Sequence, residues 1–319
     1  MFTLICMLIK ISDRISFDVI TGDGLQNEPM LLPTETKVKL IQKLVRAGCS
    51  HIETASFVSP KKVPAMADSR DVMMKLKNWK MSEAGKNCWF SALTPNLRGF
   101  DDAINIGPGV VDEVAIFASA SETFSQKNIG CSIDESFERF RLVAEKANAL
   151  KIPVRGYVSC VLGCPYEGDI KGSKVAKVSE ELMKMGCHEI SLGDTIGVGT
   201  PIATRSMLND VKAATSVDQL AVHFHDTYGQ ALANIYVSLE ENVRTIDTSI
   251  AGLGGCPYAA GASGNVATED VVYMLNGMGI RTGVDLDLLA DAARYILDTL
   301  RKESNSKCGK ALLAKKVSI

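Results

Sequence analysis

At 319 residues, with 46% hydrophobic and 23% charged residues, the chain has the make-up of a folded globular protein with a large core, which excludes disorder. Its 35 basic and 37 acidic residues leave a net charge of −2, too small and too evenly spread to attract nucleic acid or a membrane surface. Nine cysteines, an odd number without a CxxC pair, read as reduced thiols of an intracellular compartment rather than as a disulfide framework.

The apolar opening at 1–11 falls far short of the roughly 20 residues that span a bilayer. It carries Lys10 and Arg14 but also Asp13, which does not suit an organelle transit peptide. Short apolar or β-branched runs then recur about every 30 to 40 residues with amphipathic stretches between them, as in repeated βα units. Strands are expected at 16–20, 51–55, 89–93, 113–117, 153–159, 189–192, 219–225 and 245–250. Crossover helices are expected at 34–47, from a Thr34 start to a Gly48 stop, and at 132–149 and 173–185.

Eight parallel strands with helical crossovers predict an α/β fold, a (β/α)8 TIM barrel over 16–268, whose functional residues sit where strands end. A doubly wound open sheet is the alternative, but no glycine-rich dinucleotide loop follows the first strand. After Thr268 the pattern turns purely helical, with helices expected at 269–278 and 286–303. Residues 269–319 are read as a C-terminal helical extension ending in a frayed Lys-rich tail, and 1–15 as a separate N-terminal segment.

His223 and His225 close the seventh expected strand, and because strand side chains alternate, both imidazoles face the same way into the barrel mouth. Two convergent imidazoles suit a metal, although two satisfied polar residues are the plainer reading. Oxygen ligands beside them would favour octahedral Mg²⁺ or Mn²⁺ over tetrahedral zinc. Asp23, just past the first strand, is the available carboxylate, or only a turn residue in Gly22-Asp23-Gly24. Cys256 sits in Gly252-Leu253-Gly254-Gly255-Cys256-Pro257-Tyr258-Ala259 after the eighth strand, where a flexible loop can bring a thiol over the mouth, or where it is inert packing. Asn265 is either a carbonyl ligand or a helix-start residue.

Glu53 lies within a strand, an expensive place for a carboxylate unless it is paired or faces the mouth. Arg155 lies similarly in the fifth strand, and the two could pair with each other. Asp194 ends the sixth strand and could bind ligand or cap the turn that follows.

The runs Asp23-Gly24-Leu25-Gln26-Asn27-Glu28, Glu53 to Pro60, Leu93-Thr94-Pro95-Asn96, Arg155-Gly156-Tyr157-Val158-Ser159-Cys160, Ser191 to Gly199, His223 to Gln230 and Gly252 to Asn265 together resemble the 3-hydroxy-3-methylglutaryl-CoA lyase family of the DRE-TIM metallolyase superfamily. The resemblance runs from Asp23 to about Leu300. It implies that Asp23, His223, His225 and Asn265 hold a divalent cation, Mg²⁺ or Mn²⁺, and that Cys256 is a catalytic thiol on a mobile loop. It further implies that Glu53, Asp194 and His223 act at the reacting substrate and that Arg155, Ser56 and Gln26 meet it. The reaction implied is cleavage of 3-hydroxy-3-methylglutaryl-CoA to acetoacetate and acetyl-CoA. An acyl-CoA substrate, a homodimer and the mitochondrial matrix, with cytoplasm or peroxisome as alternatives, complete the expectation.

One position departs from the family. There the metal aspartate is preceded by Pro-Arg, and the arginine is thought to steady the enolate oxygen; this chain has Thr21-Gly22. Losing one preorganised donor to a developing oxyanion reduces rate on the order of 10²–10³-fold, so the chain as written is expected to be an impaired lyase. The segment ahead of Asp23 matches the family poorly, which predicts that residues 1–22 come from an alternative or mispredicted start.

Two other enzyme readings share parts of the pattern. A condensing synthase of the homocitrate or isopropylmalate type has the same aspartate and HxH ligands, but the Gly-Gly-Cys-Pro-Tyr loop favours the lyase. A zinc amidohydrolase needs its HxH on the first strand and further histidines later, and His51 and His188 sit at strand beginnings. Outside enzymes, a non-catalytic paralogue that binds metal and acyl-CoA without turnover fits the loss of an arginine at position 22.

Overall fold

The computed structural model describes residues 9–12, 14–20, 25, 30–254 and 264–317. Strands β1 (Ile9–Ser12) and β2 (Arg14–Ile20) form an antiparallel hairpin. Then follow β3 (His51–Ser56), β4 (Trp89–Leu93), β5 (Glu113–Ser119), β6 (Val154–Ser159), β7 (Glu189–Asp194), β8 (Leu220–Phe224) and β9 (Thr245–Ser249). From β2 onward each strand pairs in parallel with the next, and β2 also pairs in parallel with β9, with Ile20 opposite both Glu53 and Ser249. The sheet therefore closes on itself as the expected barrel. The β1 arm was not expected.

The strands read as almost continuous apolar runs because both faces are covered. All seven residues of β5 are buried, the pattern of a parallel sheet with helices outside and packed side chains within. Helices α1 (Thr34–Arg46), α2 (Ser69–Lys80), α3 (Leu97–Ile104), α4 (Glu122–Ile129), α5 (Ile133–Ala149), α6 (Gly172–Lys184), α7 (Pro201–Lys212) and α8 (Ala231–Glu240) lie between the strands.

Local signals explain their ends. Ser132 starts α5 with a complete capping box, its hydroxyl accepting from the Glu135 N–H and the Glu135 carboxylate accepting from the Ser132 N–H. Gly48 ends the first helical unit at φ +96°, and a Cβ there would fall 2.1 Å from the Gly283 carbonyl oxygen, so only glycine fits. The Thr34 signal works differently from the expectation: its hydroxyl donates to Asp68 (2.8 Å) and leaves the helix start without a side-chain cap.

After the barrel come α9 (Thr268–Gly277), α10 (Leu286–Leu300) and α11 (Lys307–Val317). The expectation of a frayed tail is wrong, because α11 has a strong start. Asp270 of α9 accepts from the Ser306 hydroxyl (2.8 Å) and from the N–H groups of Lys307 (3.2 Å) and Cys308 (2.7 Å), placing a carboxylate on the positive end of the helix. Among the described residues no helix is long and apolar enough to cross a membrane.

Candidate active site

Because the eight strands are parallel, all their C-terminal ends meet at one rim. Ser56, Ser159, Asp194 and Ser249 end β3, β6, β7 and β9, and His223 is one residue from the end of β8. His225 lies just beyond β8 rather than inside it. Alternation still brings the two imidazoles to one side, with ring centroids 5.2 Å apart.

Asn265 joins them through backbone rather than through local sequence. Residues 264–267 lie along the rim like a short extra strand: Asn265 bridges His225, the Val266 N–H donates to the Phe224 carbonyl (3.1 Å), and the Ser249 N–H donates to the Val266 carbonyl (3.0 Å). The Asn265 amide nitrogen donates to the Leu253 carbonyl (3.0 Å), which fixes which end of the amide is oxygen.

Both histidines are buried, and among the described residues none of their four ring nitrogens has a hydrogen-bond partner. A buried imidazole without partners is destabilising unless something else meets its lone pairs. Burial also pushes the basicity of both rings down, His223 well below the ordinary range with the neighbouring His225 adding to the effect, and His225 to about 4. Both therefore stay neutral at physiological pH, the form that ligates a cation. The hydroxyls of Ser56, Ser159 and Ser249, on the same rim, are likewise buried without a hydrogen-bond partner among the described residues.

These donors fit a divalent cation. Two neutral imidazoles with an amide oxygen make a mixed nitrogen and oxygen set, which a carboxylate would complete. Among the described residues no three of His, Cys, Asp and Glu converge as a metal set. The carboxylate of the expected set, Asp23, lies outside the described residues, as do Gln26, Cys256 and Gly22.

Asp194 is buried at the end of β7. Its carboxylate accepts from the N–H groups of Val198 (3.2 Å) and Gly199 (2.8 Å), so it caps the turn after the strand, and burial pushes its carboxyl up to about 6. Glu53 is fully buried inside the barrel and accepts from the Tyr157 hydroxyl (3.2 Å).

Arg155 has a different place from the one expected. Its guanidinium is fully buried and committed within the barrel: Nε donates to Glu189 (2.9 Å), Nη2 to Asp247 (2.9 Å) and Nη1 to the Tyr157 hydroxyl (3.0 Å). It pairs with Glu189 and Asp247, and meets Glu53 only through Tyr157. Burial pushes the Asp247 carboxyl up, while Arg155 and the Ser191 hydroxyl, 2.5 Å away, pull it back toward the charged form. Asp247 also lies 3.6 Å from His223 Nδ1, linking this network to the rim.

Sequence reasoning missed Asp247, Glu189 and Tyr157, although the signal used for Glu53 and Arg155, an ionisable group within a strand, applies equally to Asp247 in β9. It also missed Glu269. That buried carboxylate accepts from the Ala251 N–H (3.0 and 3.1 Å), holding Ala251 at φ +57°, while the Asn305 N–H donates to the Ala251 carbonyl (3.0 Å). Together they anchor the chain just before the glycine-rich loop.

A closed parallel barrel whose strand ends carry neutral, unsatisfied metal-type donors belongs to the class of (β/α)8 barrel enzymes. The sequence narrows the class: the HMGL-like family model matches residues 15–296, a range that opens ahead of Asp23 and takes in β2. The chain belongs to this family, and its relatives are hydroxymethylglutaryl-CoA lyases.

It is 57% identical over 290 residues to the mitochondrial hydroxymethylglutaryl-CoA lyase of Arabidopsis thaliana, covering 91% of this chain but only 60% of that longer one. With the mitochondrial hydroxymethylglutaryl-CoA lyase of Gallus gallus it shares 55% identity over 289 residues, covering 91% of this chain and 94% of the relative. The crystal structure of hydroxymethylglutaryl-CoA lyase from Pseudomonas aeruginosa matches with a TM-score of 0.88 at 52% identity, covering 93% of this chain and 96% of that one.

Proposed function

We propose that this barrel cleaves 3-hydroxy-3-methylglutaryl-CoA to acetoacetate and acetyl-CoA, and that turnover by the chain as written is limited by Gly22. The observation that carries the reading is the buried His223–His225 pair, unsatisfied among the described residues, on the rim of a barrel of this family. His223, His225, Asn265 and Asp23 would hold Mg²⁺ or Mn²⁺. Bound there, the cation would supply Lewis acidity and a template for the substrate's oxygen atoms.

The chain's own groups would handle the protons. A base must take the proton of the tertiary hydroxyl, the carbon–carbon bond then breaks, and an acid must protonate the departing acetyl-CoA carbon. Asp194, with its carboxyl raised to about 6, exchanges a proton near neutrality, which supports a role at the substrate. Glu53 and Ser56 are buried on the same strand, Glu53 inside the barrel and Ser56 at the rim. Cys256 and Gln26 are the proposed acid and a further substrate contact.

Gly22 offers no donor to the developing enolate oxygen, which is the reason to expect impaired turnover. A lyase assay with added Mg²⁺ or Mn²⁺ on the chain and on Gly22→Arg tests both parts. The variant is expected to exceed the parent by about 10²–10³-fold. Equal and high activity would remove the impairment, and no activity in either would favour an acyl-CoA-binding paralogue without turnover.

The mitochondrial location named for relatives such as those of Arabidopsis thaliana and Gallus gallus is extended to this chain on the same footing, with the matrix as the proposed compartment. A homodimer is proposed as well, which would cover exposed apolar residues such as Ile202 and Tyr228.

A further inference from the structure

Burial pushes the thiols of Cys49, Cys88, Cys131, Cys160, Cys187 and Cys308 up from their ordinary range, which leaves them unreactive at neutral pH. Cys164 is the exception among the described cysteines. It packs with Cys160 and Phe124 in one small buried cluster, and its sulfur lies 3.0 Å from the Ser121 hydroxyl and accepts from the Tyr166 N–H (3.4 Å). Led by the Cys160 contact, these donors pull the Cys164 thiol down to about 5 despite its burial.

Ser121 has one proton and also lies 2.8 Å from the Glu167 carboxylate, so the Tyr166 N–H is a donor that Cys164 need not share, with the Cys160 thiol packed beside it. The two sulfurs meet because of local backbone. Cys160 directly follows β6 and takes a left-handed conformation, φ +61°, uncommon for a side-chain-bearing residue. The turn at 164–168 is closed by two hydrogen bonds between Cys164 and Gly168, with Cys164 buried and Tyr166 and Gly168 exposed.

We propose that Cys160 and Cys164 form a dithiol site that a small hydroperoxide oxidises to an intrachain disulfide, with Cys164 as the attacking sulfur and Cys160 as the resolving one. Attack on hydrogen peroxide forms a sulfur–oxygen bond at Cys164 as the O–O bond breaks, and the departing hydroxide takes a proton to leave as water. The Cys160 sulfur then displaces the second oxygen from the sulfenic acid, forming the S–S bond and releasing a second water. The two thiols lose two electrons and two protons, and the peroxide is reduced to two waters. None of the groups proposed for lyase chemistry takes part, so the site stands independently of that reading.

Both cysteines fall in one tryptic peptide, 156–171, so the test needs no variant. The folded full chain is treated with hydrogen peroxide at pH 7, then unfolded, alkylated with iodoacetamide, digested and weighed. The peptide is expected to lose two hydrogens, take up no iodoacetamide and recover both sites after dithiothreitol. It should do so on the order of tenfold or more faster than the Cys187 thiol oxidises. In Cys160→Ala the reaction should stop at a sulfenic acid on Cys164 that dimedone traps. Two alkylated cysteines in that peptide, at peroxide levels that already oxidise Cys308, would overturn the proposal, and so would a Cys160→Ala chain in which dimedone leaves Cys164 unlabelled.

Discussion

The floor and the rim of the barrel both carry buried polar side chains but treat them oppositely. On the floor, the Arg155 guanidinium meets Glu189, Asp247 and Tyr157, while Thr245 and Ser191 satisfy further carboxylate oxygens. On the rim, His223, His225, Ser56, Ser159 and Ser249 are equally buried and lack hydrogen-bond partners among the described residues. Satisfied polar groups hold a fold together, whereas a cluster of unsatisfied ones at strand ends suits a ligand. The contrast separates the part of the barrel that keeps shape from the part that does chemistry.

Arg155→Met attacks the floor and should have the largest effect. It strands two buried carboxylates, so guanidinium chloride unfolding should show a loss of about 3–5 kcal/mol. A loss below about 1 kcal/mol would mean that the network is not what holds the floor.

Asp194 lies between the two regimes, capped by backbone but raised to about 6 from 3.8. Its folded carboxyl binds a proton more tightly than the unfolded one. The stability that this one group contributes is therefore fully present below about 4 and is lost as pH rises through about 6, by about 3 kcal/mol in total. The difference in unfolding free energy between the parent and Asp194→Asn should fall by that amount between pH 4 and pH 7. A flat difference would show that the carboxyl is not raised.

Ser56→Ala should have the smallest effect, within about 0.5 kcal/mol, because its hydroxyl has no partner to lose. A loss above about 1 kcal/mol would mean that the rim is as satisfied as the floor.

Much of the barrel was legible because parallel strands buried on both faces leave dense apolar runs at regular spacing. His223 and His225 were legible because strand alternation is local, and it carried the reading even though the strand stops at Phe224. What escaped was nonlocal. The partners of Arg155 lie 34 and 92 residues away and are set by strand register around the closed barrel. Asn265 owes its place to a backbone bridge with His225, not to its own helix start. The tail helix looked frayed from its lysines because the aspartate that starts it is 38 residues upstream of Cys308. The substrate came from family resemblance, since no spacing or charge in the chain encodes it.

The central claim is that the unsatisfied imidazoles on the rim are the ligands of a divalent cation. Titration of the protein with Mn²⁺, following free Mn²⁺ by electron paramagnetic resonance, tests it without reference to turnover. The account predicts one saturable site per chain in the parent, with affinity weakened by about 100-fold or more in His223→Ala and in His225→Ala. Equal Mn²⁺ binding in the parent and both variants would contradict it.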